Sequence, residues 1–196
     1  MKLFAMMISG VLATSGLALN FQGASANEGS AAQYVVDTAH SSVIFGVTHM
    51  NSSRFYGRFN KTTGNFSYDE SDPTKSKFDI EIDADSVDTA FEGRDKHLKS
   101  PDFFNVKQFP TITFKSKSLQ KKGDSWKLKG DLTLHGATKE IEADFEWIGT
   151  GEFRGDKKGG FEAIFKIKRS DYGMTFMNGP LGDEVKIIVS LEGNQK

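Results

Sequence analysis

Between residues 77 and 192 the chain alternates apolar and charged residues with a period of two. In KFDIEIDAD, Phe78, Ile80, Ile82 and Ala84 share one face, and Lys77, Asp79, Glu81, Asp83 and Asp85 share the other. Trp126, Leu128, Leu132 and Leu134 oppose Lys127, Lys129 and Asp131. Ile141, Ala143, Phe145 and Trp147 oppose Glu140, Glu142, Asp144 and Glu146. Phe161, Ala163, Phe165 and Ile167 repeat the pattern, as do Val185, Ile187, Val189 and Leu191. Successive side chains of a strand point to opposite faces, so each segment buries one face and wets the other, as in antiparallel sheet covered on one side. A membrane barrel is excluded, because its lipid-facing side cannot carry rows of Lys and Glu.

Eight such strands are predicted, over 34–49, 54–69, 77–86, 111–118, 125–134, 138–148, 160–169 and 184–192. The second changes phase, with Phe55 and Phe59 odd and Phe66 and Tyr68 even. One bent strand with a bulge near Gly64 would absorb the slip. An even number lets the first and last strands pair antiparallel and remove both edges. The expected fold is therefore all-β: an eight-stranded antiparallel lipocalin-like barrel, with an interior that admits side chains or one small ligand.

The first 26 residues stand apart. Lys2 precedes an apolar run from Leu3 to Leu19, and Ala24-Ser25-Ala26 supplies the small residues of a signal-peptide cleavage site. Cleavage after Ala26 leaves residues 27–196 as a single domain, large enough for a real core. With Lys2 gone, 24 basic residues face 26 acidic ones, which is no footprint for nucleic acid, and no later segment could span a bilayer as a helix. There is no cysteine, so no disulfide supports the fold. Seventeen phenylalanines against two tryptophans and four tyrosines favour purely apolar walls.

The exception to the strand pattern is FEGRDKHLKSPDFFNVKQFP, Phe91 to Pro110. Thr89-Ala90-Phe91-Glu92 reads as a capping box, so a short helical cap is expected between strands three and four. A connection of that length is usually functional. In an up-and-down barrel, this segment shares one end with the turns after His49, Leu134 and Arg169. His49 continues the inward series of Phe45 and Val47; Arg169, with Asp171 after it, continues that of Phe165. The rim set is therefore His49, Arg94, His97, His135, Arg169 and Asp171, suited to the polar head of a lipid. Arg matches phosphate or carboxylate through its fork. The channel set is Phe45, Val47, Phe78, Ile80, Phe91, Phe103, Phe104, Phe114, Leu132, Phe145, Phe165 and Val189. Two plainer readings stay open: Arg169 and Asp171 as loop ties, and His49 as a hydrogen-bonded core residue.

The four histidines lack metal-ligand spacing, and no nucleophile elbow is present, so neither a metal, a cofactor nor a catalytic residue is expected. A serine such as Ser100 or Ser170 near His97 is the remaining route to a lipid hydrolase, with His97 or His135 as base.

Asp37-x-x-His40-Ser41 leading into VIFGVTH, the RDKHLKSPDFF block, FPTITF, GDLTLHGATK and Arg169-x-Asp171-Tyr172-Gly173 occur in order through most of the chain. In these motifs it resembles the YceI-like family of small secreted, lipocalin-like proteins described as polyisoprenoid-binding. The resemblance implies an eight-stranded barrel around an elongated apolar channel, a long isoprenoid chain as ligand, a periplasmic location and no established catalysis. It does not transfer the particular ligand. A polyprenyl phosphate, an isoprenoid quinone-type lipid, a fatty acid or a fatty amide would share the walls and differ at the head. Pairing of two copies into a homodimer also stays open.

Overall fold

In the computed structural model residues 31–196 are described. The leader expected over residues 1–26 lies outside the described residues. The strands are β1 (Ala32–Val36), β2 (Ser42–His49), β3 (Ser53–Phe59), β4 (Thr62–Tyr68), β5 (Lys77–Asp83), β6 (Val87–Asp88), β7 (Thr111–Lys122), β8 (Ser125–Leu134), β9 (Ala137–Phe153), β10 (Asp156–Lys168) and β11 (Leu181–Gln195). One α-helix, α1 (Glu92–Leu98), lies between β6 and β7.

The sheet runs β4-β5-β7-β8-β9-β10-β11 with every neighbour antiparallel, and β1 closes it by pairing with both β4 and β11. β2 continues β1 along β11, β3 continues β4 along β2, and β6 continues β5 along β3. The result is a closed antiparallel barrel of eight strands, three of which are each broken in two. Counted as separate segments, the helix thus follows the sixth strand rather than the third.

The breaks explain the phase slip in the second strand. It falls at Asn60-Lys61, between β3 and β4, and not at a bulge near Gly64: Gly57 and Phe59 point inward before it, and Thr62, Phe66 and Tyr68 after it. The gaps in the first three strands lie side by side and bond to one another. Ser86 accepts the Asn60 N–H at its carbonyl and the Lys61 N–H at its hydroxyl, both at 3.0 Å. The Asp83 N–H reaches the Lys61 carbonyl at 3.1 Å, and the Thr38 hydroxyl donates to the Thr62 carbonyl at 2.6 Å. The backbone groups freed from the ladder are thereby satisfied. Gly64 answers a different need: a Cβ there would stand 2.3 Å from the Asp79 carbonyl oxygen of the next strand.

The helix also starts differently from its expected capping box. Its N-cap is Phe91, without a side-chain bond, because Ala90 adopts a left-handed backbone (φ +59°) that takes Thr89 out of cap position. Thr89 bonds instead to Asp95 through its hydroxyl and its N–H, and Arg94 donates to the Thr89 hydroxyl and carbonyl at 2.8 and 2.7 Å.

The barrel's two ends differ. Tyr34, Phe66, Phe78, Phe145, Phe161 and Trp147 gather where the β4–β5, β7–β8 and β9–β10 turns lie, with centroids 4.9 Å apart for Tyr34–Phe66 and Phe78–Phe161 and 5.2 Å for Phe66–Phe161. Stacked and edge-on rings at these separations close that end of the bore. The other end holds the β2–β3 and β8–β9 turns, the segment carrying α1, and the 169–181 loop. The outer wall carries cross-strand ion pairs, among them Lys117 with Asp131 and Glu140 and Lys122 with Glu142.

Candidate functional site

From the aromatic plug to the α1 end, the barrel encloses a cavity of about 150 Å³. Strand parity builds its wall. Val43, Phe45 and Val47 come from β2, Phe78, Ile80 and Ile82 from β5, Leu128, Leu132 and Leu134 from β8, and Val185, Ile187 and Val189 from β11. Among all the residues lining it, Arg169 alone is polar. Glycine widens the bore at one point. The Phe45 ring lies against Gly57, where a Cβ would come within 2.3 Å of the ring's Cζ.

The α1 end is stoppered from the segment after the helix. Leu98, Phe103 and Phe104 line the cavity, and Phe104 stands edge-on to Phe59 and Phe45 at 5.3 and 6.2 Å. Met174 and Leu181 of the 169–181 loop complete the closure. These two carry no periodic signal, and only their apolar character inside the loop marked them.

Of the residues expected to line a channel, Phe45, Val47, Phe78, Ile80, Phe103, Phe104, Phe114, Leu132, Phe165 and Val189 border this cavity. Two do not. Phe145 packs into the aromatic plug, 5.2 Å from Phe78 and 5.5 Å from Phe161. Phe91 lies on the surface with 61% of its area exposed, turned outward by the left-handed Ala90 that precedes it.

The expected rim residues lie at the α1 end, but they do not converge. His49 closes β2 opposite Ser53 and Leu181 and is exposed, because the strand has reached the rim and no wall faces it. The Arg94 fork is taken up by Thr89, and its guanidinium lies 4.1 Å over the Phe55 ring. His97 bonds through Nε2 to Asp102 at 2.8 Å and is exposed. Asp171 points to solvent, since the chain leaves the β-phase after Lys168 and enters a 3-10 turn over Arg169–Tyr172.

Arg169 is buried, with 4% of its area exposed, and its fork holds the loop rather than facing outward. Nε donates to the Gly182 carbonyl at 3.0 Å, Nη1 to Met174 and Phe176 at 2.7 and 2.8 Å, and Nη2 to Leu181 at 3.1 Å. Burial pushes its pKa down, and Asp183 partly opposes that shift. Asp183 in turn accepts from the Ser170 N–H and hydroxyl. Arg169 is thus the tie of the 169–181 loop.

His135 differs from the rest. It adopts φ +51° at the β8–β9 turn, its ring lies tilted against Phe109 at 4.7 Å, and its Nδ1 meets the Tyr172 carbonyl at 2.9 Å. Its Nε2 and the Tyr172 hydroxyl are buried without a hydrogen-bond partner. Burial, reinforced by Asp171, pushes the Tyr172 phenol up to about 12. Neither candidate serine bonds a histidine ring through its hydroxyl: Ser170 bonds Asp183, and the Ser100 hydroxyl accepts the Asp102 N–H while its own N–H donates to the His97 carbonyl at 3.0 Å.

Asp37, His40 and Glu192 place their ligand-type atoms within 4.8 Å of one another. A cation already sits among them. Lys158 Nζ lies 3.2 Å from both Asp37 Oδ2 and Glu192 Oε1, so the group reads as an ion-pair cluster. Among the described residues no helix is long and apolar enough to cross a membrane.

Residues 34–193 match the model of the YceI-like domain. Protein YceI of Salmonella newport (strain SL254) is 41% identical over 169 residues, covering 85% of this chain and 88% of the relative. The crystal structure of the Campylobacter jejuni YCEI protein superposes with a TM-score of 0.68 at 32% identity, over 76% of this chain and 90% of that one. A polyisoprenoid binding domain from Saccharophagus degradans shares the fold, with a TM-score of 0.63 at 14% identity over 85% and 100% of the two chains. An eight-stranded barrel with this wall and these motifs, matched along nearly all of its described length, belongs to the YceI-like domain family.

Proposed function

We propose that the barrel carries the hydrocarbon chain of a long isoprenoid lipid, and that it does so in the periplasm after cleavage behind Ala26. The observation that carries this reading is the cavity wall, apolar but for Arg169. Such a wall offers a chain transfer out of water and little else. About ten buried CH₂ groups supply about 8 kcal/mol, the free energy of a micromolar complex. The polyisoprenoid binding named for the Saccharophagus domain supports an isoprenoid over other chains. The cavity has the size that takes one benzene-sized group. Entry of a longer chain would require Phe104 and Met174, which line it at the α1 end, to swing away.

The head group in this reading is neutral, of the quinone or amide kind, and not a phosphate. Arg94 and Arg169, the two arginines of the expected rim set, already donate to the chain's own oxygens, so neither offers a free guanidinium fork. His135 Nε2, Trp147 Nε1 and the Tyr172 hydroxyl are buried without partners among the described residues, but none of the three residues lines the cavity, so the neutral head rests on the engaged Arg94 and Arg169 alone. A fatty amide shares this head chemistry and is the second reading.

Mass spectrometry of organic extracts from gently purified protein tests both. A prenylated neutral lipid supports the carrier, a fatty amide the second reading, and a prenyl phosphate removes the neutral head. Absence of any long chain, before or after incubation with lipid, ends the proposal. Gly57→Ala serves as the internal control, because it drives the Phe45 ring into the bore and lowers the amount of chain held.

A further inference from the structure

We propose that the α1 end of the barrel docks on a phospholipid bilayer through an exposed apolar rim; the proposal rests on the lipid-carrier reading and adds where the lipid comes from. Met50, Phe91, Phe176 and Met177 lie on three separate connections, yet all belong to this one end, with 56, 61, 39 and 40% of their areas exposed. Three of them are joined by bonds through the 169–181 loop. The Met50 N–H donates to the Pro180 carbonyl at 2.7 Å, and the Leu181 N–H to the Met177 carbonyl at 3.0 Å. Phe176 stands edge-on to His97 and Phe103 at 5.3 and 5.4 Å.

This rim continues into the cavity wall. Phe103 and Leu181 line the cavity, so hydrocarbon surface runs from the exposed Phe176 and Met177 into the bore. That continuity favours a bilayer, whose chains could pass along it, over a water-soluble partner. The backbone points the same way. Met50 and Met177 both adopt φ +52°, a left-handed conformation that glycine or asparagine takes more cheaply. Neither methionine is repaid by burial within its own chain, so its side chain is available to an external apolar phase.

Charge complements the same surface. Lys96, Lys107, Lys139 and Lys168 lie on or beside this end and take part in no ion pair among the described residues, and they outnumber Glu92 and Asp171, exposed acids of the same end that are likewise unpaired. Anionic headgroups are the natural counter-charge for lysines flanking an apolar rim. The tryptophans are placed to report orientation. Trp126 starts β8 and Trp147 sits in the aromatic plug, both at the opposite end of the barrel.

Flotation of the mature chain with vesicles of phosphatidylethanolamine and phosphatidylglycerol tests the proposal. The wild type is expected to float with the vesicles, and Met50→Ser/Phe91→Ser/Phe176→Ser/Met177→Ser to partition about tenfold less or worse. A matched Ile148→Ser/Phe153→Ser variant at the far hairpin is expected to float like the wild type. Brominated acyl chains should quench a tryptophan introduced by Phe176→Trp and spare Trp126 and Trp147. This second measurement stands even if the fourfold variant fails to fold.

Three outcomes overturn the docking surface: equal flotation of wild type and a folded rim variant, quenching of the native tryptophans, or no flotation of the wild type. A rim that instead joins two copies, seen as a doubled mass lost in the rim variant, also overturns it. The carrier reading is judged separately by uptake of a prenyl chain from detergent. Uptake without flotation removes the docking surface alone, and flotation without uptake removes the carrier.

Discussion

The two ends of the barrel obey the same alternation and reach opposite results. At the β9–β10 end the inward positions are aromatic, and Tyr34, Phe66, Phe78 and Phe161 fill the bore ring against ring. Toward α1 the inward positions are mostly aliphatic, and the barrel is wider than its side chains can fill. Backbone strain follows the same division. Of the seven non-glycine residues at positive φ among the described residues, only Arg154 belongs to the filled end, whereas Met50, Asn51, Ala90, Asn105, His135 and Met177 belong to the hollow one. Protein interiors are ordinarily close-packed, and strain persists where surrounding structure holds it. Here one end supplies stability to a barrel whose other end forgoes it.

Truncating one side chain in each half breaks that comparison most severely. Phe66 has 2% of its area exposed and touches Tyr34, Phe78, Trp147 and Phe161, so Phe66→Ala leaves a void that its neighbours cannot collapse into. The expected loss is about 3–5 kcal/mol by urea unfolding. Leu134→Ala at the hollow end enlarges a space that already exists, and the expected loss is about 2 kcal/mol, with more chain held per barrel. Equal losses would mean that the two halves are packed alike.

Arg169→Ala is expected to rank next. It frees four backbone carbonyls of the 174–182 segment, which reach water only if the loop opens, at a cost of about 2–3 kcal/mol. Binding of a prenyl phosphate and of a neutral amide should then weaken by the same factor, because a loosened loop affects every chain alike. A loss confined to the phosphate in titration calorimetry would return Arg169 to the head group and remove its role as a tie.

That reversal marks how far the residues alone could be read. Side-chain alternation has a fixed period in any strand, so the ring of eight and most of the cavity wall could be read from parity. Parity stops where the strand stops. Arg169 is in phase with Ile167, yet the 3-10 turn that begins at it sends Asp171 outward, and its partners are carbonyls, which every residue possesses. Phe91 stood in the expected channel set, but Ala90 at φ +59° resets the chain just before it. The phase slip seemed to call for a glycine bulge; it falls at Asn60-Lys61 because the two neighbouring strands break at the same level and supply bonds there. These three misses lie at the ends of elements, where tertiary hydrogen bonds outweigh local pattern; Phe145, in the middle of β9, has the right parity and misses the cavity only because its ring belongs to the plug.

The smallest expected effect sharpens how the wall is held shut between the two ends. Asp37, at the break between β1 and β2, holds His40 at 3.0 Å and Lys158 of β10 at 3.2 Å, while Lys158 also reaches Glu192 of β11. The hydrogen bond from His40, then those from Lys158 and the Ala39 N–H, lower the Asp37 pKa to about 2, against the partial desolvation that would raise it. A carboxyl depressed in the folded state contributes its full stabilisation above its unfolded pKa near 3.8 and loses it as pH falls toward about 2. Because the group is partly solvated, its contribution is about 1 kcal/mol. Asp37→Asn should therefore be less stable than the wild type by about that amount at pH 6, with the gap closing between pH 4 and pH 2 in urea unfolding. A gap that stays constant over this range would show that the cluster acts through packing and not through charge, and that the β1–β11 closure owes its strength to its backbone ladder.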